Sequence, residues 1–309
     1  MIKHLGLKAY GKINLGLDVL RRREDGYHEV RMIMQTDGIF DRVDLIWKSE
    51  PGIQVETNLY YLPTNENNLV YKAAKLLMDE FHVMDGVTIR LKKFIPVAAG
   101  MAGGSSDAAA VLFGINKMFR LGLTTAELMD RGVKIGADVP YCILRGTALS
   151  EGIGEILTSL PPVPQCQVLI AKPAINVSTR FVYENLHANN LLPKQHPDID
   201  SMISAIQKHD IYGIADNLGN VLETVTIKEY PVIQEIKEKM LEYNAIGSLM
   251  SGSGPTVFGL FTSPTAAQDA YEELRYGAFS HLAKQVYLTN FYNQKENQKE
   301  NTHGTRTEG

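Results

Sequence analysis

Ile95-Pro96-Val97-Ala98-Ala99-Gly100-Met101-Ala102-Gly103-Gly104-Ser105-Ser106-Asp107, running into Ala108-Ala109-Ala110-Val111-Leu112, is a stretch with almost no side-chain bulk that opens into a helix. Small residues let backbone N–H groups approach an anion closely, and a helix N-terminus adds unpaired donors and a positive dipole. The stretch therefore reads as a phosphate cradle. Ser105, Ser106 and Asp107 suit the cap or first turn of that helix, while Val111, Leu112, Ile115, Met118 and Phe119 recur at the spacing of one buried face. A glycine-rich turn joining a strand to a capped helix would look similar, but the paired serines add hydroxyl donors to the glycines. The loop lacks the lysine of a Gly-Lys-Ser/Thr nucleotide loop. A near-miss, Gly6-Leu7-Lys8-Ala9-Tyr10-Gly11-Lys12, is followed by Ile13 where a hydroxyl is required and then by strand-like alternation.

Upstream of the loop, Ile13, Leu15, Leu17 and Val19 alternate with Lys12, Asn14, Gly16 and Asp18, which predicts a strand with one core face and one polar face. Arg21 to Gly26 ends in an Asp-Gly turn signal, and Tyr27 to Met34 restarts a strand. Further strands are expected at 44–47, 53–56 and 87–91, with a helix from Asn68 to Phe81. Downstream, Thr124 and Glu127 mark a capped helix start, and Gly136-Ala137-Asp138-Val139-Pro140 opens another helix. Pro161, Pro162 and Pro164 mark a domain boundary. Beyond it come a strand at 167–171, several helical stretches, and Gly247 to Phe261, where a glycine-serine turn runs into a strand.

A chain of 309 residues is long enough for two domains that each bury a core. Lys and Arg total 31 against 35 for Asp and Glu, a net charge of −4, so no global basic field exists to gather nucleic acid or acidic membrane. Cys142 and Cys166 lie far apart and make no metal-binding spacing; they read as reduced core thiols of a cytoplasmic protein. The first residues lack the order of a secretory signal, and no apolar run reaches membrane-spanning length. Residues 293–309 are nearly free of apolar side chains and are expected to be a disordered polar tail.

Phosphoryl transfer to a hydroxyl calls for charge neutralisation along the phosphates, a metal ion and a carboxylate to take the hydroxyl proton. Asp138 is the candidate base, between the small Gly136 and Ala137 and the rigid Pro140; it is equally suited to cap the helix that follows. Lys12 is the candidate cation, on the polar strand face beside Asn14, and a Lys12–Asp138 pair would hold that carboxylate ionised and oriented. Tyr27 and His28 follow a tight turn and suit either a flat base or an ordinary strand surface. Ser251, Gly252, Ser253 and Gly254 offer further backbone donors, or simply a hairpin.

Gly11-Lys12-Ile13-Asn14-Leu15, Pro96 to Ser106 and Met250-Ser251-Gly252-Ser253-Gly254, in that order, resemble the three motifs of the GHMP kinases. Asp25-Gly26-Tyr27-His28, Gly136 to Pro140 and Glu151-Gly152-Ile153-Gly154-Glu155 are most similar to the branch whose acceptor is a cytidyl-diphospho methylerythritol, rather than homoserine or mevalonate. The likeness covers nearly the whole chain except the tail. A catalytically silent sensor of the same fold would be expected to lose Lys12 or Asp138, and both are present.

The resemblance implies an α+β, two-domain GHMP kinase fold. Residues 1–160 would form an ATP-binding domain like the second domain of ribosomal protein S5, and residues 161–292 a ferredoxin-like domain, with the site between them. It implies Lys12 and Asp138 as the catalytic pair. ATP would lie on Pro96, Val97, Ala98, Ala99, Gly100, Met101, Ala102, Gly103, Gly104, Ser105 and Ser106, with Lys93, Asn68 and Leu69 about the adenine. Asn14 would lie beside the methylerythritol group, with Tyr27, His28 and, as a stacking ring, Tyr183 about the cytidine. Magnesium would accompany the nucleotide; its ligands are open, with Ser106 and Asp107 as candidates. Gly11 stands where relatives usually have alanine, a lost methyl expected to loosen the strand slightly without changing its polarity. Ala98, Ala99 and Ala102 stand where glycines are common, which bears on the loop's mobility.

Overall fold

The computed structural model describes residues 2–293, so the predicted polar tail lies outside the described residues apart from Asn293. Its frame is a long antiparallel pair, β1 (His4–Arg22) and β2 (His28–Lys48), reversed at a turn in which Gly26 takes φ 87°. β2 runs unbroken through the interval that separates two strands in the sequence reading. The pairing register shifts between Tyr10 and Lys12, between Asn14 and Gly16, and between Val19 and Arg21. The second shift sets an extra residue on β1, and a bulge of one residue reverses the side-chain alternation beyond it. Ile13 and Leu15 consequently enter one core while Leu17 and Val19 enter another, and Leu17 joins Lys12 and Asn14 on the cleft side. The single apolar face expected for these four residues is thus divided.

β3 (Gly52–Thr57) and β4 (Gly86–Lys92) extend the sheet beyond the second half of β2; β5 (Thr147–Glu151) pairs with its first half and β6 (Ile156–Ser159) with β5. Helices α1 (Leu69–Glu80) and α2 (Gly103–Phe119) pack together, with α2 also on β1 and β2. Their apolar faces are those the helical spacing marks: Val70, Ala73, Ala74 and Leu77 on α1, Val111, Leu112, Ile115 and Met118 on α2. α3 (Thr125–Val133) begins at the expected capping box of Thr124 and Glu127, and α4 (Val139–Leu144) packs against α3 and α2.

The prolines at 161, 162 and 164 fall between β6 and β7 (Gln167–Lys172). Helices α5 (Thr179–Asn185), α6 (Ile199–Gln207) and α7 (Ile211–Asp216) follow, then the short strand β8 (Gly219–Asn220). α8 (Glu223–Glu229), α9 (Val232–Glu242), β9 (Gly247–Met250), β10 (Val257–Phe261), α10 (Pro264–Arg275) and β11 (Gln285–Asn290) complete the chain described. The second sheet is antiparallel in the order β11-β7-β10-β9, with α9 and α10 packed on it, which is the βαββαβ ferredoxin-like arrangement.

The halves interlock. β8 adds in parallel to β1 at Gly16 and Leu17, and beyond β11 the Tyr292 amide donates to the Thr36 carbonyl at 2.9 Å. Ile13, Leu15 and Ile33 of the first sheet share a core with Val168, Ile170, Phe258 and Leu260 of the second. Each such side chain contributes about 1.5–3 kcal/mol when fully buried, so this shared core fixes the two sheets against each other. Cys142 and Cys166 are buried free thiols. Among the described residues no helix is long and apolar enough to cross a membrane.

Candidate active site

α2 starts at Gly103, two residues before the paired serines, and its N-cap is Ala102 with φ 53° and no side-chain cap. Of the two roles expected of Ser105, Ser106 and Asp107, cap or first turn, the structure places them inside the start of the helix and gives none of them the cap. The Ser106 hydroxyl donates to the Tyr10 carbonyl at 2.6 Å, and Asp107 faces Lys93. The amides of Gly103, Gly104 and Ser105 have no intrahelical acceptor, so an uncapped helix end with its positive dipole opens on the cleft.

Ala98 and Ala102 both sit in the left-handed region, at φ 51° and 53°, where a Cβ costs roughly 1–2 kcal/mol. The loop is thus held strained rather than slack. Ala102→Gly is expected to raise the urea midpoint by the equivalent of about 0.5–1 kcal/mol, glycine's unfolded-state entropy taking back part of the relief. An equal or lower midpoint would show that the surrounding loop, not Ala102, sets this conformation.

The three motifs meet at Gly100. Its φ is 74°, and a Cβ there would stand 2.1 Å from the Ser251 carbonyl oxygen. The Ser251 hydroxyl donates to the Gly100 carbonyl at 2.9 Å and accepts from the Asn14 amide at 3.3 Å, while the Lys12 amide donates to the Met101 carbonyl at 3.2 Å. Met101 itself is core, beside Ile13 and Ile95. Met101, Ser106 and Ser251 thus brace the cleft from behind. Every other residue expected at the site lines one cleft of about 920 Å³. Asn220, which the sequence reading missed, holds the third turn by donating to the Met250 and Gly252 carbonyls, both at 2.8 Å. Nothing local in the sequence marks that asparagine.

Asp138 occupies the N-cap position of α4 but does not cap it: φ is −82°, and its side chain makes no capping hydrogen bond. Among the described residues its carboxylate has no ion pair within 4.0 Å either, so it stands free on the cleft wall. Lys12 is 5% exposed, and its Nζ donates to Asn14 Oδ1 at 2.6 Å, the two being on one face two residues apart. The expected Lys12–Asp138 pair is not formed; the two share the cleft, each presenting its charge to what lies within it.

Lys93 differs most from expectation. Its ammonium is not free for a nucleotide but buried between Asp41 and Asp107, with Asp107 at 2.6 Å. Burial alone would lower this lysine, but the charges of Asp107 and Asp41 outweigh it and hold the pKa up. Burial lifts the Asp107 carboxyl well above its ordinary range, Lys93 offsetting only part of that. Asp41 also accepts from the Ile95 amide at 2.8 Å, so this triad lashes β2, the end of β4 and α2 together at both ends of the loop. The sequence separations of 52 and 14 residues carry no motif, which is why the network is invisible before folding. Asn68 caps α1 through the Val70 amide at 3.1 Å, and Leu69, Leu62 and Pro63 line the same side of the cleft.

At the other end the turn presents Tyr27, 60% exposed. The rings of His28 and Tyr183 are 5.1 Å apart with their planes at 46°. Burial, then Arg22, lowers the His28 pKa, which favours a neutral imidazole able both to donate and to accept. Among the described residues no cluster of three or more His, Cys, Asp or Glu side chains could hold a metal.

Residues 68–146 match the GHMP kinases N terminal domain and residues 202–278 the GHMP kinases C terminal domain. A 4-diphosphocytidyl-2-C-methyl-D-erythritol kinase of Lachnoclostridium phytofermentans is 54% identical over 94% of this chain and 98% of its own. That of Alkaliphilus metalliredigens is 49% identical over 96% and 99%. A crystal structure of 4-(cytidine 5'-diphospho)-2C-methyl-D-erythritol kinase superposes with a TM-score of 0.78 at 29% identity, covering 94% of this chain and all of that one. Homoserine kinase from Cytophaga hutchinsonii shares the fold, with a TM-score of 0.77 at 19% identity over 95% of this chain and 96% of its own.

Proposed function

The chain belongs to the GHMP kinase family, and from that premise we propose that it transfers the γ-phosphoryl group of ATP to the 2-hydroxyl of 4-diphosphocytidyl-2-C-methyl-D-erythritol, in the non-mevalonate route to isoprenoids. The observation that carries the mechanism is the uncommitted Asp138 carboxylate, in one cleft with the uncapped start of α2. The triphosphate lies on the amides of residues 103–105, where the helix dipole and close backbone donors stabilise its charge. The acceptor oxygen attacks the γ-phosphorus, the bond from that phosphorus to the ADP oxygen breaks, and the hydroxyl proton passes to Asp138. Lys12, steadied by Asn14, neutralises charge on the transferred group rather than gripping Asp138 directly.

ATP enters past Leu62, Pro63, Asn68 and Leu69, with Lys93 acting through the loop it anchors. The cytosine lies among Tyr27, His28 and Tyr183, and the glycines of the third turn face the acceptor. Magnesium fits as an ion carried by the nucleotide. Asp107 shares the Lys93 ammonium with Asp41 and its Oδ1 has no partner, so that oxygen and the Ser105 hydroxyl are the donors α2 would offer the ion, the phosphates and water supplying the rest. Bound so, the ion would neutralise phosphate charge. We assign residues 1–160 and 161–292 as the two domains, with β8 lent to the first sheet. The net charge of −4 supports an enzyme of small molecules rather than of nucleic acid or membrane, and the free buried thiols Cys142 and Cys166 support a cytoplasmic one.

A coupled assay of ADP release with the cytidyl-diphospho alcohol, homoserine, mevalonate and galactose is expected to respond to the first alone; turnover of any other in its place would refute the assignment. Tyr183→Ala is expected to raise the KM for the cytidyl substrate roughly tenfold, as loss of one base–aromatic stack should, with the KM for ATP nearly unchanged. Equal changes in both KM values would remove Tyr183 from the cytidine site.

A further inference from the structure

The mechanism leaves one buried carboxyl beneath the site unused. Asp37 is fully buried; its Oδ1 accepts from the Ile39 amide at 2.8 Å, and its Oδ2 has no partner. The carboxyl lies against the bare Cα of Gly11, where a Cβ would stand 2.9 Å from Oδ2 and 3.2 Å from Oδ1. Gly11 immediately precedes Lys12, at the place where the ladder widens and Asp37, Gly38 and Ile39 lie between the partners of Tyr10 and Lys12. The glycine found in place of alanine therefore does more than drop a methyl: it makes room for an acidic group, so the local polarity does change.

The titratable groups that act on Asp37 are Lys12 from β1, Asp41 from β2 and Tyr141 from α4, whose hydroxyl lies 3.0 Å from Thr36 Oγ1. From β11, Thr289 and Asn290 approach Gly38 and bring no charge. Asp41 is taken up by Lys93, and its charge acts against Asp37. Lys12 is the cation that favours an ionised Asp37, and a buried carboxylate without a hydrogen-bonded partner needs such a countercharge.

We propose that Asp37 is a positioning residue for Lys12: its carboxyl, admitted by the absence of a side chain at Gly11, draws on the lysine's charge from beneath the strand and sets how strongly Lys12 attracts the transferred phosphoryl group. The inference rests on the role given to Lys12 above. When ionised, Asp37 takes a share of the ammonium's field; when neutral, it leaves that field to the phosphate. Burial, partly offset by the Ile39 hydrogen bond, lifts this carboxyl to about 7, so the change of form falls within the range of ordinary assays.

The test is kcat/KM for ATP from about pH 6 to about pH 9 in the unaltered chain, in Asp37→Asn, and in the double variant Gly11→Ala with Asp37→Val, which refills the space with apolar groups. The unaltered chain is expected to lose about three- to tenfold as the pH rises through neutrality, and both variants to lack that limb. Profiles of the same shape in all three would overturn the proposal. Lys12→Met serves as the separate control: if it keeps normal turnover, the role of Lys12 fails, whereas a dead Lys12→Met beside an unchanged Asp37→Asn profile sinks the Asp37 inference alone.

Thermal unfolding gives the second readout. A carboxyl raised in the folded state contributes stability fully present below its unfolded pKa and lost as the pH climbs to the folded value. Asp37→Asn should accordingly raise Tm more at about pH 8 than at about pH 5. Equal shifts at both would show that Asp37 does not change form in this interval, and would overturn the proposal as well.

Discussion

Asp138→Asn is expected to lower kcat by about 10²- to 10⁴-fold, the range a positioned general base supplies, with little change in nucleotide affinity. The substitution is close to isosteric, and the native carboxylate makes no capping bond, so α4 loses nothing by it. Asn cannot accept the hydroxyl proton, and the acceptor must then shed it to water in a cleft that substrate fills. ADP affinity, measured by calorimetry on the same variant, should stay within about threefold, because the phosphates are held by backbone amides and by Lys12. A turnover within tenfold of the parent would mean that the proton leaves by another route, and Asp138 would then be no more than a wall of the site.

Gly100→Ala is the second large effect, and it arises from geometry alone. The residue combines a φ of 74° with a Cβ position 2.1 Å from a backbone carbonyl, that of Ser251. Backbone cannot swing aside as the end of a long side chain does. The left-handed conformation costs roughly 1–2 kcal/mol, and moving the third turn adds to it, for a loss of about 3 kcal/mol or more in denaturant unfolding. Activity should fall further than stability: displacing the loop by about 1 Å against its neighbour misplaces phosphate and acceptor together, worth roughly 100-fold in kcat/KM. A variant with parental stability and turnover would show that the two turns need not touch for catalysis.

The sequence exposed those parts of the fold whose cause is local. The α1 helix between Asn68 and Phe81, the capping box at Thr124 and the glycine-serine turn at 251–254 all follow from spacing or turn chemistry that a few neighbouring residues settle. Leu17 shows where this stops: its side changes because of a bulge made by pairing with β2, and alternation cannot count a residue that only a partner strand reveals. The site divides in the same way. Lys12, Asp138 and the loop were legible as motifs, whereas the burial of Lys93 between Asp41 and Asp107 depends on strands and a helix brought together from distant positions. The same holds for Asn220, whose two bonds reach carbonyls about thirty residues away. Ser105 and Ser106 suit cap and first turn alike on sequence, and only the backbone turn at Ala102 settles that they lie inside the helix.

The lending of β8 to the first sheet and the bond from Tyr292 to Thr36 have a bearing on synthesis. As the polypeptide leaves the ribosome, the strand bearing Lys12 emerges well before its neighbour at Gly219 and the clamp at Tyr292. Contacts so far apart along the chain are slow to close, and segments cannot be rewarded for them in advance. The nascent first half therefore carries the phosphate loop with Ile13, Leu15 and Ile33 still bare, a raw apolar seam that stays open until the second sheet arrives to seal it.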